Sequence, residues 1–524
     1  MTTHTYSIAG NDFERAGLAS HNVKLLLKKL GVAPEIIRRA IIAAYEAEMN
    51  TVIYAQKGTL YFNLSDSMID LEVIDVGPGI PDVEKAMQEG YSTATDKIRD
   101  LGFGAGLGLP NMKKSSDIFE IKSTVGKGTR VHMRIFLKQQ RAERSHAMSL
   151  RVMEELCNQC RKCLGACPTG AIRLRKGKPE ILEHLCIDCV ECLQVCKTGA
   201  ISVDCRCGIL GMREMAELVV PESFLVQFGT GVSPERVVES IKALGFSGVH
   251  IIEKWENALC KSVMQYAEEK AKVLPVISPL CPAVGNIIML RYPSLLGNIA
   301  PLMSPFEAIS TQFEKRKALF TAICPSQCSA YQWSKKADKE KVISAGLLYK
   351  AVAPIVHGAK KDKPTHPPVT GRRARPTFAT LNVSGIRHVI DVLDEVEEGL
   401  FGNLKVLELF ACDQGCFGSP LLKENSYIAY YRWVSERMAT KSSMGQVIPR
   451  QVPLQPRGGM RLDEDMGKAI EKLARIDEIK KKLPGKDCGL CGSPTCEAFA
   501  EDVVLSRADL NECTYLHAQE DAKP

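Results

Sequence analysis

The chain has 524 residues, 25% of them charged, with 20 cysteines and a formal net charge of +7. That length exceeds one ordinary core and predicts three or four domains. No apolar run is long enough to span a bilayer and the first residues lack a leader pattern, so a cytoplasmic protein without a membrane span is expected.

In chain order, Pro34 opens a helical stretch, PEIIRRAIIAAYEAEMNTVIYA, which places Glu46 and Asn50 four apart on one face. A strand-like run, MIDLEVIDV, delivers Asp75 into DVGPGI, and the glycine-rich GFGAGLGLPNMKK follows at 102–114. A closing strand pair is predicted in IFEIKSTVGKGTRVHMRIFL. A glycine-rich loop alone is more often only a turn; the order and spacing of these pieces carry the reading. Over residues 10–138 the chain resembles the GHKL ATPases, most closely their anti-sigma-factor serine kinase branch. The resemblance implies that Asn50 coordinates Mg²⁺, that Glu46 is the polar partner or base, and that Asp75 takes the adenine amino group. It implies close approach at Gly77 and Gly79, a phosphate lid carrying Gly104, Gly106 and Gly108, and Thr129 beside the adenine. A degenerate domain that keeps the fold without ATP is the plain alternative. No phospho-acceptor helix pair precedes the domain, which argues against a histidine kinase.

Cys157, Cys160, Cys163 and Cys167 form CxxCxxCxxxCP, and Cys186, Cys189, Cys192 and Cys196 repeat it with CK at the end. Each run is followed by a strand signal, TGAIRL or TGAISV, so this is an internal duplication. Clustered CxxC patterns in a long chain read as metal ligands rather than disulfides. The segment resembles bacterial dicluster ferredoxins, in which the fourth cysteine of each run serves the other cluster. That implies one [4Fe–4S] cluster on Cys157, Cys160, Cys163 and Cys196, and another on Cys186, Cys189, Cys192 and Cys167. Zinc is the competing thiolate partner. Cys205 and Cys207 read as leftover thiols.

SPERVVESIKALGFSGVHII predicts an amphipathic helix feeding a buried strand, the start of an α/β unit. Three cysteine loops follow: SPLCPAV with Cys281, AICPSQCSA with Cys324 and Cys328, and ELFACDQGCFGSP with Cys412 and Cys416. In order they resemble the catalytic domain of [FeFe] hydrogenases. The resemblance implies a [4Fe–4S] site on Cys281, Cys324 (or Cys328) and Cys412, with Cys416 as the bridge to a diiron centre. The departures count equally. Leu280 stands where that family has a proton-relay cysteine, no lysine follows Cys324, and FGSPLL replaces a glycine-rich turn. A leucine carries no proton, so efficient hydrogen turnover is not expected. The basic, proline-rich stretch 357–376 reads as a solvated loop or a docking site for an acidic partner. Tyr427, Tyr430, Tyr431 and Trp433, at helix spacing, read as core packing.

A linker and charged helix are expected over 441–475. Cys488, Cys491, Cys496 and Cys513 then follow CxxCxxxxC with a distant fourth cysteine. This resembles the small four-iron domain of corrinoid iron–sulfur proteins, with Gly489 and Gly492 wrapping the cluster and donating N–H groups to sulfide. Sixteen thiolates and four [4Fe–4S]²⁺ cores bring the formal +7 to about −1, which removes the apparent nucleic-acid footprint.

The fold class is thus multidomain α/β and α+β. It comprises a GHKL α/β sandwich (1–140), a ferredoxin-like dicluster domain (150–208), an [FeFe] hydrogenase-like α/β domain (209–440) and a small iron–sulfur module (476–524). The expected cofactors are four [4Fe–4S] clusters, ATP and Mg²⁺, in an anaerobic setting because such clusters are oxygen-sensitive. The expected function couples redox state, or hydrogen sensing, to an ATPase or serine kinase output on a regulatory protein. The alternative is a subunit in which ATP gates electrons to or from a redox partner, a hydrogenase or oxidoreductase complex. GHKL kinases often pair, which implies a homodimer.

Overall fold

The computed structural model describes residues 2–65, 67–94, 104, 106–137, 149–203, 216–313, 318–334, 342–358, 379–435, 447–458, 462–463 and 465–516. Cys205, Cys207 and nearly all of the basic stretch 357–376 lie outside the described residues. The chain forms two units. One comprises Met1–Glu143, Gly458–Pro484 and Ala500–Leu510; the other comprises Arg144–Arg457, Gly485–Phe499 and Asn511–Pro524.

The first unit is a sheet backed by helices. Strands β1 (Thr2–Ala9), β2 (Lys57–Leu64), β3 (Met68–Val76), β4 (Ile118–Thr124) and β5 (Gly128–Phe136) are ordered β1-β2-β3-β5-β4. All neighbours are antiparallel, with Gly58 opposite Asp75 and Ile69 opposite Ile135. Alternation along β3 buries Ile69, Leu71 and Val73 on one face, as a half-covered sheet requires. Helices α1 (Leu18–Lys29) and α2 (Pro34–Tyr54) cover that face. Pro34 sits in the first turn of α2, and Ile36, Ile37, Ala40, Ala43, Ala44 and Ala47 recur at helical spacing to form its buried stripe. Two shorter helices, α3 (Val83–Ala86) and α4 (Gly108–Ser115), follow β3. The helix Met466–Lys482 belongs to the same unit, and its Asp477 lies 3.9 Å from His4.

The second unit opens with the duplicated cysteine segment. Its two halves share the same unusual backbone: Gln159 and Arg161 in the first run, and Asp188 and Val190 at the matching places in the second, all have φ between 56° and 67°. A valine in the left-handed region is a strained choice, so both loops are held by something beyond local preference. Short helices Lys162–Ala166 and Glu191–Val195 repeat in step. The hairpin β7 (Ile172–Arg175) and β8 (Lys178–Ile181) follows the first run, and β9 (Ile201–Val203) follows the second and pairs with β6 (Leu150–Val152).

Two parallel sheets come next. One is ordered β11 (Gly248–Ile251), β10 (Glu217–Val220), β13 (Ala318–Ala322), β14 (Val342–Ser344), and the other β12 (Val276–Ile277), β16 (Val406–Phe410), β15 (Thr380–Ser384). Strand β13 is buried throughout, as a parallel strand covered on both faces should be. The three cysteine loops leave the carboxyl ends of β12, β13 and β16, where open parallel sheets place their ligand crevices. No helix among the described residues is long and apolar enough to cross a membrane.

Candidate functional site

In the first unit a large open cleft is lined by Glu46, Asn50, Asp75, Gly79, Gly104, Gly106, Gly108 and Thr129. Helix α2 supplies Glu46 and Asn50 from one face, and the end of β3 supplies Asp75. Asp75 Oδ1 accepts the Thr129 N–H at 3.1 Å, which leaves its second oxygen for another donor. Burial pushes the Asp75 carboxyl above its ordinary range, and the Thr129 N–H pulls it partly back. Gly128 makes the approach feasible: its φ is +127°, and a Cβ there would stand 2.1 Å from the Asp75 carbonyl oxygen. Gly77 is not on the cleft wall; it packs beside Ala55 with the Asp75 carboxylate near.

The first residue of α4 stands over the Glu46–Asn50 pair. A Cβ at Gly108 would lie 3.2 Å from Glu46 Oε2 and 3.3 Å from Asn50 Oδ1. The open first turn of α4 therefore faces the carboxylate and amide, an arrangement suited to phosphate and its counter-ion. Sequence reading passed over Asn111, whose side-chain amide donates to Glu46 Oε1 at 2.7 Å. Its signal was there, three residues beyond Gly108, but only the fold turns it toward α2.

The second unit brings its cysteines together in sets. Cys157, Cys160, Cys163 and Cys196 line one cavity. Cys186, Cys189 and Cys192 lie in mutual electrostatic range with Cys167, so the fourth cysteine of each run crosses to the other set. Backbone N–H groups aim at sulfur: Gln159 to Cys157 at 3.4 Å, Ala171 to Cys167 at 3.2 Å and Asp188 to Cys186 at 3.5 Å. Burial drives the Cys186, Cys189 and Cys192 thiols up, so thiolates there need a positive partner. Arg457 is buried and donates to the carbonyls of Cys186 (2.9 Å), Glu183 and His184 (both 3.1 Å). The stretch expected as a linker thus contains an anchor of this loop.

Cys281, Cys324, Cys412 and Cys416 line a further cavity. Cys324, rather than Cys328, faces it; Cys328 is buried among Val219, Ile252, Phe306 and Phe320. Leu280, half-buried, packs against an apolar cluster that includes Leu259 and Val263. Gln327, where a lysine was missed, accepts the Ile323 N–H at 3.1 Å. Asp188, Cys189 and Val190 of the dicluster segment form part of the same cavity wall. Tyr430 and Trp433 pack against Phe417, whereas Tyr427 and Tyr431 are 60% and 68% exposed, so only half of that aromatic group is packed inward. Cys260 is half-buried, its thiol raised by burial and by Glu408.

At the carboxyl end, Cys491 lies in electrostatic range of Cys488 and Cys513. The Cys496 N–H is held by Asp487 at 2.6 Å. Gly492 departs from its expected role. Its N–H goes to the Gly489 carbonyl at 3.0 Å, and its own carbonyl accepts the Leu174 N–H at 2.8 Å. Among the described residues no group of three or more His, Cys, Asp or Glu closes tightly enough for a single metal ion. Cysteine sets that line these cavities, with backbone N–H groups aimed at sulfur, fit iron–sulfur clusters.

Known proteins share these parts. Family profiles match for the histidine kinase-, DNA gyrase B- and HSP90-like ATPase over residues 35–139 and for the 4Fe-4S dicluster domain over 156–201. The iron only hydrogenase large subunit, C-terminal domain matches over 217–320, and an Fe-S cluster family over 483–515. An anti-sigma F factor of Caldanaerobacter subterraneus subsp. tengcongensis is 37% identical over 107 residues, 20% of this chain and 67% of that protein. The serine/threonine-protein kinase RsbT of Bacillus subtilis is 35% identical over 108 residues, 20% of this chain and 75% of that protein. Two Thermoanaerobacter anti-sigma F factors are matched over 62% of their length, so the chain spans about two thirds of these relatives. The corrinoid/iron-sulfur protein large subunit of Moorella thermoacetica is 51% identical over 39 residues, 7% of this chain and 9% of that protein. The apo [FeFe]-hydrogenase HydA1 from Chlamydomonas reinhardtii aligns with 44% of this chain and 86% of its own, at 12% identity and a TM-score of 0.33. The chain belongs, through its first domain, to the ATPase family of the anti-sigma F factors and RsbT, and fuses that domain to iron–sulfur and iron-only-hydrogenase-type domains.

Proposed function

We propose that the protein is a redox-responsive regulator in which the state of its iron–sulfur clusters sets the activity of an ATP site. The observation that carries this reading is the complete polar set of the first-unit cleft: Glu46 held by Asn111, Asn50 beside it, and Asp75 poised by Thr129. In it Asp75 would take the adenine amino group, Asn50 would hold Mg²⁺, and Glu46 would accept the proton of an attacking hydroxyl. The likeness to RsbT favours a serine on a regulatory partner as phosphate acceptor, in the cytoplasm and with the domain working as a homodimer. The four cysteine sets would each hold a [4Fe–4S] cluster. Leu280, half-buried against an apolar cluster, supports a hydrogenase-type domain used for sensing rather than turnover.

The second reading, an electron relay gated by ATP, is favoured by the shared wall of the dicluster and hydrogenase-like cavities. Anaerobic incubation with γ-labelled ATP and cell extract, in oxidised and dithionite-reduced protein, separates the two. Label on a partner protein that differs between the redox states supports the sensor. Free phosphate released only when the clusters are reduced and an electron acceptor is present supports the relay and ends the kinase reading.

A further inference from the structure

The carboxyl-terminal cysteine loop is seated on the dicluster hairpin. Arg175, the last residue of β7, donates to the Cys491 carbonyl at 2.9 Å and to Ser493 Oγ at 2.8 Å, and lies 3.8 Å from Glu512. The Leu174 N–H donates to the Gly492 carbonyl at 2.8 Å, so the loop adds one backbone bond to the hairpin edge. The seat is tight: Gly492 has φ +79°, and a Cβ there would lie 1.8 Å from the Leu174 carbonyl oxygen. A Cβ on Gly170 would touch Pro494 at 3.4 Å, and one on Gly489 would touch Leu164 at 3.8 Å. Ser493 is fully buried.

Leu164 and Leu174 also line the cavity of Cys157, Cys160, Cys163 and Cys196. One layer of leucine therefore separates that cavity from the Cys488–Cys513 loop. The series continues. Cys196 of the second run lines the cavity of the first, which ties the two dicluster sets, and Cys189 walls the hydrogenase-like cavity. At the other end Cys488 is exposed, beside Leu490 at 41% exposure.

We infer that the carboxyl-terminal loop is the solvent-facing electron port of a four-site relay, and that Arg175 is the positioning residue that locks it to the first dicluster site. The relay runs from the Cys488 set through the Cys157 set and the Cys186 set to the Cys281 set. Clusters held by these cysteine sets would supply one-electron transfer, accepting single electrons from a low-potential carrier protein, which would be oxidised, with no bond made or broken. Within the chain, Arg175 supplies a fixed cation and two hydrogen bonds that set the gap, and Leu164 and Leu174 keep water out of it. This rests on the cysteine sets holding clusters, but not on any role for ATP.

The test is electron paramagnetic resonance of the fully reduced full-length protein, with iron and sulfide counted in each sample. Neighbouring reduced clusters broaden one another's signals and speed their relaxation. Cys491→Ser, which removes the port cluster, should narrow the signal of the Cys157 set. Arg175→Ala should narrow it in the same way with iron content unchanged, and Arg175→Lys should restore part of the broadening. Should Arg175→Ala lose iron, Ser493→Ala, which removes the Arg175 hydrogen bond to Oγ, decides the matter by a smaller narrowing at full iron content. A Cys157-set signal unchanged by Cys491→Ser, or unchanged broadening in Arg175→Ala and Ser493→Ala at full iron content, overturns the inference. Neither result bears on phosphate transfer, so failure here and failure of the kinase reading are separately visible. Iron analysis of the wild type that finds no clusters overturns both the relay and the cluster reading beneath it.

Discussion

The Asn111 side-chain amide donates to Glu46 Oε1 at 2.7 Å, so one oxygen of the proposed base is already occupied and the other faces the first turn of α4. The carboxylate is thereby oriented before any nucleotide arrives. Glu46→Gln keeps size and hydrogen bonding but cannot take a proton. It should lower phosphate transfer or hydrolysis by about 10²–10⁴-fold with nucleotide affinity within a few-fold. Asn111→Ala should act in the same direction but less. Single-turnover kinetics beside a nucleotide titration check both; an equal loss of affinity and rate would make Glu46 a binding residue instead.

Asp75 has one oxygen on the Thr129 N–H and one free for the base of a nucleotide. Asp75→Asn retains one acceptor for two donors, so adenine recognition should weaken by roughly ten- to a hundredfold, the value of one charge-assisted hydrogen bond. Calorimetric titration with ATP and GTP reads it. The ATP preference should fall while the fold, followed by circular dichroism, stays.

Gly128 tests the backbone beneath that contact. Gly128→Ala places a methyl against the Asp75 carbonyl and forces a left-handed residue, at a cost of about 2–4 kcal/mol. The first unit should melt several degrees lower, and ATP should recover part of the loss only if Asp75 still reaches the base. Scanning calorimetry with and without nucleotide checks this.

Glu222 bonds to the Trp433 indole, and burial together with Glu253 and Glu256 pushes its carboxyl well above the ordinary range. A raised carboxyl binds its proton more tightly folded than unfolded, so its burial penalty is absent at low pH. Stability then falls as pH rises from ~4.5 through the folded value and levels off above it. Glu222→Gln should flatten that slope between about pH 5 and 8, as read by denaturant melts at fixed salt. An unchanged slope would assign it to other groups.

Much of this was legible in the chain because the chemistry is written at short range. Glu46 and Asn50 are one helical turn apart, and the cysteine runs announce themselves by spacings of three and four. Asp75 was found because a strand must end where its loop turns glycine-rich. What the chain hid lies at long range. Arg175 and Cys491 are 316 residues apart, and Arg457 is 271 residues from Cys186. No periodicity marks an arginine that will be buried against a carbonyl. Gly492 was seen, but its purpose was read from the loop alone, whereas the fold uses it to admit the edge of β7. The choice between Cys324 and Cys328 likewise needed the core that swallows Cys328.

Coupling between clusters and nucleotide is the central claim, and affinity measures it most directly. The dissociation constant of ATP should be determined anaerobically on the full-length protein in its oxidised and dithionite-reduced states. A difference of about tenfold is expected, and by reciprocity saturating ATP should then shift the midpoint potential of a coupled cluster by about 59 mV. Equal constants in the two states, with potentials unmoved by ATP, would contradict the account and leave the ATP site and the clusters as independent functions on one chain.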